Sequence, residues 1–356
     1  MNRYFILPCL LFCLAAAGPS PLRAQINGGD EVYEFMNLSP SARITALGGQ
    51  MVPVFDEDIN LARLNPALLT PRMHQQLAFS HNFHINSLQN GYAAYGHHVD
   101  AWNTTFQVGA RYAGYGEFQE TDPTGQVLGT FRASEYALNF GAGRQVDERL
   151  HLGANLRLVS SQLAGYQSIG LATDVAAAYR DTSAGFVATL LLRNMGLQLS
   201  TYDQASGREP LPFEMQVGIS KRLRYLPFRL TVVYRYLDQW NITYDDPNTR
   251  ETEFLFEEAP AERSDFAVFT DNFFRHFVFS GEFLLGKNET VRLRVGYNHL
   301  LRTEMRVDNY GSLAGFSFGA GIRIKQFRIG YGHQVYHLAG GINHLSISTN
   351  LQEFQR

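Results

Sequence analysis

Leu150-His151-Leu152-Gly153-Ala154-Asn155-Leu156-Arg157-Leu158 alternates without a break. Leu150, Leu152, Ala154, Leu156 and Leu158 occupy one face, while His151, Gly153, Asn155 and Arg157 occupy the other. Strict alternation of this kind marks a β-strand with one apolar and one polar side. Thr104, Phe106, Val108, Ala110 and Tyr112 oppose Thr105, Gln107, Gly109 and Arg111 in the same way. So do Val291, Leu293, Val295 and Tyr297 against Arg292, Arg294, Gly296 and Asn298.

Working outward, the same pattern predicts about fourteen strands: 76–83, 91–99, 103–112, 134–145, 150–162, 169–180, 184–193, 211–223, 227–237, 273–285, 290–301, 313–325, 327–336 and 342–351. Counted from the first, the even connections are short: 100–102, 146–149, 181–183, 224–226, 286–289 and Gln326. The odd ones, 84–90, 113–133, 163–168, 194–210, 238–272, 302–312 and 337–341, are mostly longer. Short turns at one end, longer loops at the other and an even strand count are the signature of a single-chain outer-membrane barrel. The fold class expected is all-β, an antiparallel transmembrane barrel with both termini on the short-turn side.

Sidedness then assigns the charges. A charge facing lipid near the bilayer midplane costs roughly 2–4 kcal/mol for arginine, so charged positions of the strands must face the lumen. Arg111, Arg157, Arg235, Arg292, Arg294 and Arg323 fall on that side, and Glu135, Asp174, Glu214 and Glu282 alternate onto it. Such charges fit either a substrate pathway or an interior network that stiffens the wall, and the network is the simpler reading.

The ends of the chain divide differently. Arg3 followed by the apolar run Phe5–Ala17 reads as an export signal, with cleavage after Ala24 or after Ala17. The domains expected are a signal peptide at 1–24, a plug segment at 25–75 and a barrel at 76–356. Both cysteines, Cys9 and Cys13, fall in the signal, so the exported chain would have no disulfide and no thiol nucleophile. The 32 glycines and 18 tyrosines suit tight turns and interfacial rings. A net charge of −3 gives no polyanion-binding surface, and nucleic acid is not an expected partner.

Residues 26–75 do not alternate. Ser39 is positioned to cap a short helix with Pro40 at its first position, running through Ala42, Ile44 and Leu47 to Gly48. A second helix is expected to begin near Asp56 or Asp58 and stop before Pro66. A polar segment placed before the first strand fits a plug inside the lumen, or alternatively a periplasmic tail.

This stretch carries a resemblance. Tyr33-Glu34-Phe35-Met36-Asn37-Leu38, Ser41-Ala42-Arg43, Ala46-Leu47-Gly48-Gly49 and Asn65-Pro66-Ala67 resemble the PorQ family of the Bacteroidetes type IX secretion system. Arg193-Asn194-Met195-Gly196 and Leu211-Pro212-Phe213-Glu214 add to it, and the likeness spans almost the whole exported chain. Asn65-Pro66-Ala67 alone is shared with FadL-like barrels more widely. The resemblance implies a barrel of the FadL and PorV type with an N-terminal plug. It also implies an attachment complex, in which such proteins hold a PorZ-like surface protein beside PorU- and PorV-like subunits. The chain departs from the pattern by ending on Phe354-Gln355-Arg356 rather than on an aromatic residue.

Signs of catalysis are few. His97 and His98 are adjacent, so on a strand they face opposite sides and cannot share a metal. His333 and His337 are spaced as a helical pair but lie at a strand-to-loop junction, and serine lacks a nucleophile-elbow pattern. No enzyme activity, cofactor or metal is expected. The 238–272 loop, with Tyr244, Phe254, Phe256, Phe266 and Phe269 among acids, is the candidate partner-binding surface, unless it packs on its own barrel rim. The 113–133 loop, with Tyr115, Phe118 and Phe131, is the second candidate. The function expected is anchoring of a surface subunit through external loops. The alternatives are a FadL-like transporter of hydrophobic molecules and a PorV-like cargo shuttle.

Overall fold

The alternating segments become fourteen antiparallel strands. In a computed structural model, residues 31–50, 53–84, 88–203, 207–243, 264–306, 310–338 and 340–354 are described. The export signal, both cleavage positions, Tyr244, Phe254 and Phe256 lie outside the described residues. The strands are Gln76–Phe83 (β1), Gln89–Val99 (β2), Thr104–Thr121 (β3), Val127–Gln145 (β4), Leu150–Leu163 (β5), Tyr166–Asp181 (β6) and Phe186–Ser200 (β7). They continue with Glu214–Arg222 (β8), Phe228–Tyr234 (β9), Phe277–Leu285 (β10), Val291–Asn298 (β11), Phe316–Ile324 (β12), Phe327–His337 (β13) and Gly340–Asn350 (β14).

Each strand pairs with its neighbours in sequence, and β1 pairs with β14 from Gln76↔Asn350 to Phe83↔Asn343, which closes the barrel. Closure leaves no unpaired sheet edge, the one way a sheet can sit in lipid with its backbone satisfied. Strand β5 shows the consequence for side chains. Leu152, Leu156 and Leu158 point outward and stay exposed, while His151, Asn155 and Arg157 are buried inside. Among the described residues no helix is long and apolar enough to cross a membrane.

Several connections differ from expectation. The 113–133 segment is not a loop: β3 and β4 run on to Thr121 and Val127, and Phe118 stacks on Phe131 across the hairpin at 5.4 Å. A tilted strand needs roughly 9–11 residues to cross the bilayer, so these two stand well clear of it. Both faces are then solvated, and the apolar alternation that marks a membrane strand fades. Strands β5 and β6 also meet in the two-residue turn 164–165. The long connections are 201–213, 235–276 and 299–315. The last two contain helices, Asp265–Arg275 (α3) and His299–Glu304 (α4).

The N-terminal segment lies inside the barrel. Its helices are Ala42–Ala46 (α1) and Ile59–Ala62 (α2), with 3₁₀ turns at Glu34–Asn37, Pro66–Leu68 and Pro71–Met73. It enters at the long-connection end, where the Val32 amide donates to the Pro210 carbonyl at 3.0 Å. It leaves at the short-turn end, where the Gln75 amide donates to Gly96 at 2.8 Å. The C-terminal turn Leu351–Phe354 closes beside it: the Leu351 amide reaches the Gln75 carbonyl, and Phe354 meets Phe327 edge-on.

Candidate functional site: the plugged lumen and its outer rim

The plug has a small core of its own. Ile44, Leu47, Val54, Leu61, Leu64 and Leu68 pack together, all nearly inaccessible to solvent. Ser41, not Ser39, caps α1: its backbone is extended and its Oγ accepts from the Ile44 amide at 3.4 Å. Ser39 instead donates to the Ser41 carbonyl, which leaves Pro40 outside the helix. Asp58 caps α2 by accepting from the Asn60 amide at 3.1 Å.

The resemblance motif has a physical reading. Gly48 and Gly49 both take positive φ, 94° and 80°, so α1 ends in a left-handed turn and the Gly49 amide returns to the Ile44 carbonyl at 2.9 Å. Ala46 and Leu47 are buried just before that turn. Asn65 caps the 3₁₀ turn by accepting from the Ala67 amide at 3.1 Å, with Pro66 at the position that needs no N–H. Pro66 and Ala67 lie so close to the wall that a Cβ on Gly153 would strike their backbone.

Backbone polar groups of a short plug cannot all pair among themselves, so wall side chains take the rest. The Ala42 amide donates to Ser346 at 2.8 Å, Ser317 donates to the Ala46 carbonyl at 3.1 Å, and Ser220 donates to the Pro53 carbonyl at 2.8 Å. Gln107 and Asn155 donate to the Ile59 and Ala62 carbonyls. In the outer half, Arg63, Arg111 and Arg193 all point donors at the Met36 carbonyl, at 3.3, 3.3 and 3.5 Å. Arg111 also holds the Ser39 carbonyl at 2.9 Å.

Ion pairs fasten plug to wall. Arg43 of α1 makes a two-point pair with Glu282 of β10, and the same carboxylate takes Arg229 at 2.9 Å and Arg294 at 3.1 Å. Arg43 also meets Asp56 at 2.5 Å and Asp58 at 3.3 Å. Burial opposes ionisation of Asp56, but Arg43, with Arg292 and Arg229, outweighs it and holds that carboxyl at about 2. Elsewhere in the lumen Arg157 pairs with Asp174, and Arg235 makes a two-point pair with Glu214 at 2.6 and 3.1 Å.

All ten wall charges read from the sequence therefore sit on the lumen side. Arg111, Arg157, Arg235, Arg294, Glu135, Asp174, Glu214 and Glu282 are buried. Arg292 lies half-way, between Asp56 and Glu289, and Arg323 reaches Glu353. Glu135 accepts from the Tyr115 hydroxyl. Among the other lumen charges, Arg43 and Arg193 stand in the sequence only within the resemblance motifs, Asp56 and Asp58 only as a helix start, and Arg63 and Arg229 carry no sequence reading at all. Arg43 and Arg63 follow no alternating pattern, so no periodicity exposes them.

The outer rim carries the aromatic cluster. Phe266 and Phe269, expected in a loop, lie on α3, which Ser264 caps and whose Arg275 pairs with Asp271 and with Glu304 of α4. The spacing Phe266, Phe269, Phe273 was a readable helical signal, hidden by the acid-rich run before it. A chain of ring contacts links Trp240 to Phe269 at 5.2 Å, Phe269 to Phe273 at 6.4 Å, Phe273 to Phe277 at 5.0 Å and Phe277 to Phe279 at 5.6 Å. Phe279 faces outward on β10, so the cluster continues the lipid-facing wall onto α3. Phe266 is 78% exposed and Phe269 54%. Among the described residues no group of three or more His, Cys, Asp or Glu side chains is placed to hold a metal.

The architecture is that of a plugged outer-membrane β-barrel. The CymD monoaromatic hydrocarbon channel has a similar fold: TM-score 0.50 and 15% identity over 88% of this chain and 96% of that one. The Pseudomonas putida toluene transporter TodX aligns with TM-score 0.49 and 10% identity, over 87% of this chain and 96% of TodX. A FadL homologue from Pseudomonas aeruginosa aligns with TM-score 0.49 and 9% identity, over 88% and 98%. No protein-family model matches the chain, and no curated protein matches it.

Proposed function

We propose that this barrel is a membrane anchor: a lumen filled by its own plug, presenting an outer rim that holds a protein at the cell surface. The observation that carries this reading is the lock between Arg43 and Glu282, reinforced by Arg229 and Arg294, which ties the plug to the wall inside the lumen. A scaffold gains rigidity. The exposed rings of α3 supply anchors of the kind that dominate protein interfaces. With the PorQ resemblance, the partner proposed is a PorZ-like surface protein, within a type IX attachment complex that includes PorU- and PorV-like subunits.

The test is a pull-down from outer membranes, with mass spectrometry, of the unaltered chain and of a Phe266→Ala/Phe269→Ala variant. The reading expects a surface protein retained by the first and released to the medium by the second, with both barrels inserted equally. Equal retention by both would remove α3 from the interface.

A second reading, transport of a hydrophobic small molecule, is favoured by the fold shared with a hydrocarbon channel. It is also favoured by a cavity of about 480 Å³ at the outer mouth, where Phe35, Leu88, Leu301, Met305 and Ile342 meet Glu34 and His84. Uptake of a labelled aromatic hydrocarbon by proteoliposomes separates the two, since the anchor reading expects none above empty liposomes. A PorV-like shuttle would instead co-purify with secreted cargo.

A further inference from the structure

Toward the short turns the lumen opens into a cavity of about 500 Å³ whose lining is strongly cationic. Nine arginines line it against four carboxylates, Asp56, Glu57, Asp58 and Glu289. Glu282 and Glu353 pair with lining arginines from the edge of the cavity, which still leaves three guanidiniums in excess. Among the described residues, seven of the nine have a carboxylate partner. Arg328, for instance, pairs with Glu57, and Arg222 with Glu289 at 2.7 Å. The remaining two are Arg72, in the turn before β1, and Arg180, near the end of β6.

Arg180 is not loose. Its guanidinium lies over the Phe55 ring at 5.0 Å, and Phe55 packs in turn on His151 at 4.5 Å. Stacking fixes the plane of the guanidinium and leaves its N–H edge free to donate. Arg72 lines the same cavity from the plug side. Asn288, Thr290, Ser346 and Ser348 add neutral donors. A concave wall with an excess of positive charge concentrates counter-ions, and arginine forks match the paired oxygens of a phosphoryl group.

We propose that this cavity is an oxyanion site, open to the short-turn side, at which Arg72 and Arg180 together bind a phosphate- or diphosphate-bearing ligand. The reading is independent of the anchoring function, because it lies at the opposite end of the lumen from α3. The oxyanion comes either from a soluble molecule or from a lipid headgroup.

The probe is inorganic pyrophosphate, titrated calorimetrically at low salt into the full exported chain in non-ionic detergent. Saturable one-to-one binding is expected, weakened at least tenfold in Arg72→Ala/Arg180→Ala. The double lysine variant, Arg72→Lys/Arg180→Lys, should recover part of it, since charge survives and only the fork is lost. Retention of a heat-modifiable band on gels confirms that each variant is folded. Absence of saturable binding to the folded wild-type chain, or equal affinity in the alanine variant, overturns the proposal. Repeating the titration in nanodiscs with and without phosphatidylglycerol assigns the source. Competition supports a headgroup at the site, and unchanged affinity supports a soluble anion.

Discussion

Arg43 in the plug and Glu282 on β10 are 239 positions apart in the chain and meet through two parallel hydrogen bonds, Nε to Oε1 at 3.0 Å and Nη2 to Oε2 at 2.9 Å. Both side chains are almost wholly buried, and Glu282 also serves two further guanidiniums, those of Arg229 and Arg294. One carboxylate thus joins helix α1 of the plug to three strands of the wall. The plug cannot leave without stranding charges in the lumen.

Glu282→Gln should therefore be costly while keeping the shape of the side chain. Removing one partner of a buried pair leaves uncompensated charge and destabilises by about 3–5 kcal/mol. The expected readout is a lower temperature for loss of the heat-modifiable band. An unchanged transition would mean that water already screens this site.

Acid should act through Asp56. Its folded-state value of about 2 lies below the ordinary carboxylate value of 3.8, so its ion pairs add stability in full above about pH 4. That contribution, about 2 kcal/mol from the shift, is lost as pH falls from 4 through 2. Unfolding transitions measured between pH 2 and 6 should show a steeper acid dependence in the wild-type chain than in Asp56→Asn.

Gly153→Val should disturb the plug before the barrel. Its side chain would enter the space of the Pro66 and Ala67 backbone, which cannot yield without shifting the 3₁₀ turn. In planar bilayers the variant is expected to conduct more than the wild-type chain while keeping its heat-modifiable band. Identical conductance would show that the turn has room to move.

Leu156→Arg tests the assignment of faces. Leu156 lies near the middle of β5 and faces outward between two inward residues, Asn155 and Arg157. An arginine there should cost roughly 2–4 kcal/mol in urea unfolding from bilayers. A cost near zero would put residue 156 close to the headgroups.

How far the sequence could be read depends on the element. All fourteen strands were visible because each has one face in lipid and one in the lumen, and that contrast is written as period two. The hairpin of β3 and β4 was cut short where both faces meet water. Strand β11 was drawn to residue 301, although Asn298 ends it by accepting from the Leu301 amide as the cap of α4. Helix α3 is readable from Phe266, Phe269 and Phe273, yet the sequence reading gives a loop to 272 and a strand from 273, where the helix runs to Arg275.

The chain alone determined which side of each strand faces lipid, because desolvating a charge is too costly to permit the alternative. It also determined that the strands must close, since a membrane offers no partner for an open edge. Only the tertiary structure decided which charges meet. Arg43 finds Glu282, and Arg72 and Arg180 find no carboxylate among the described residues, because the plug passes through a closed ring of strands and brings together residues that no local spacing relates.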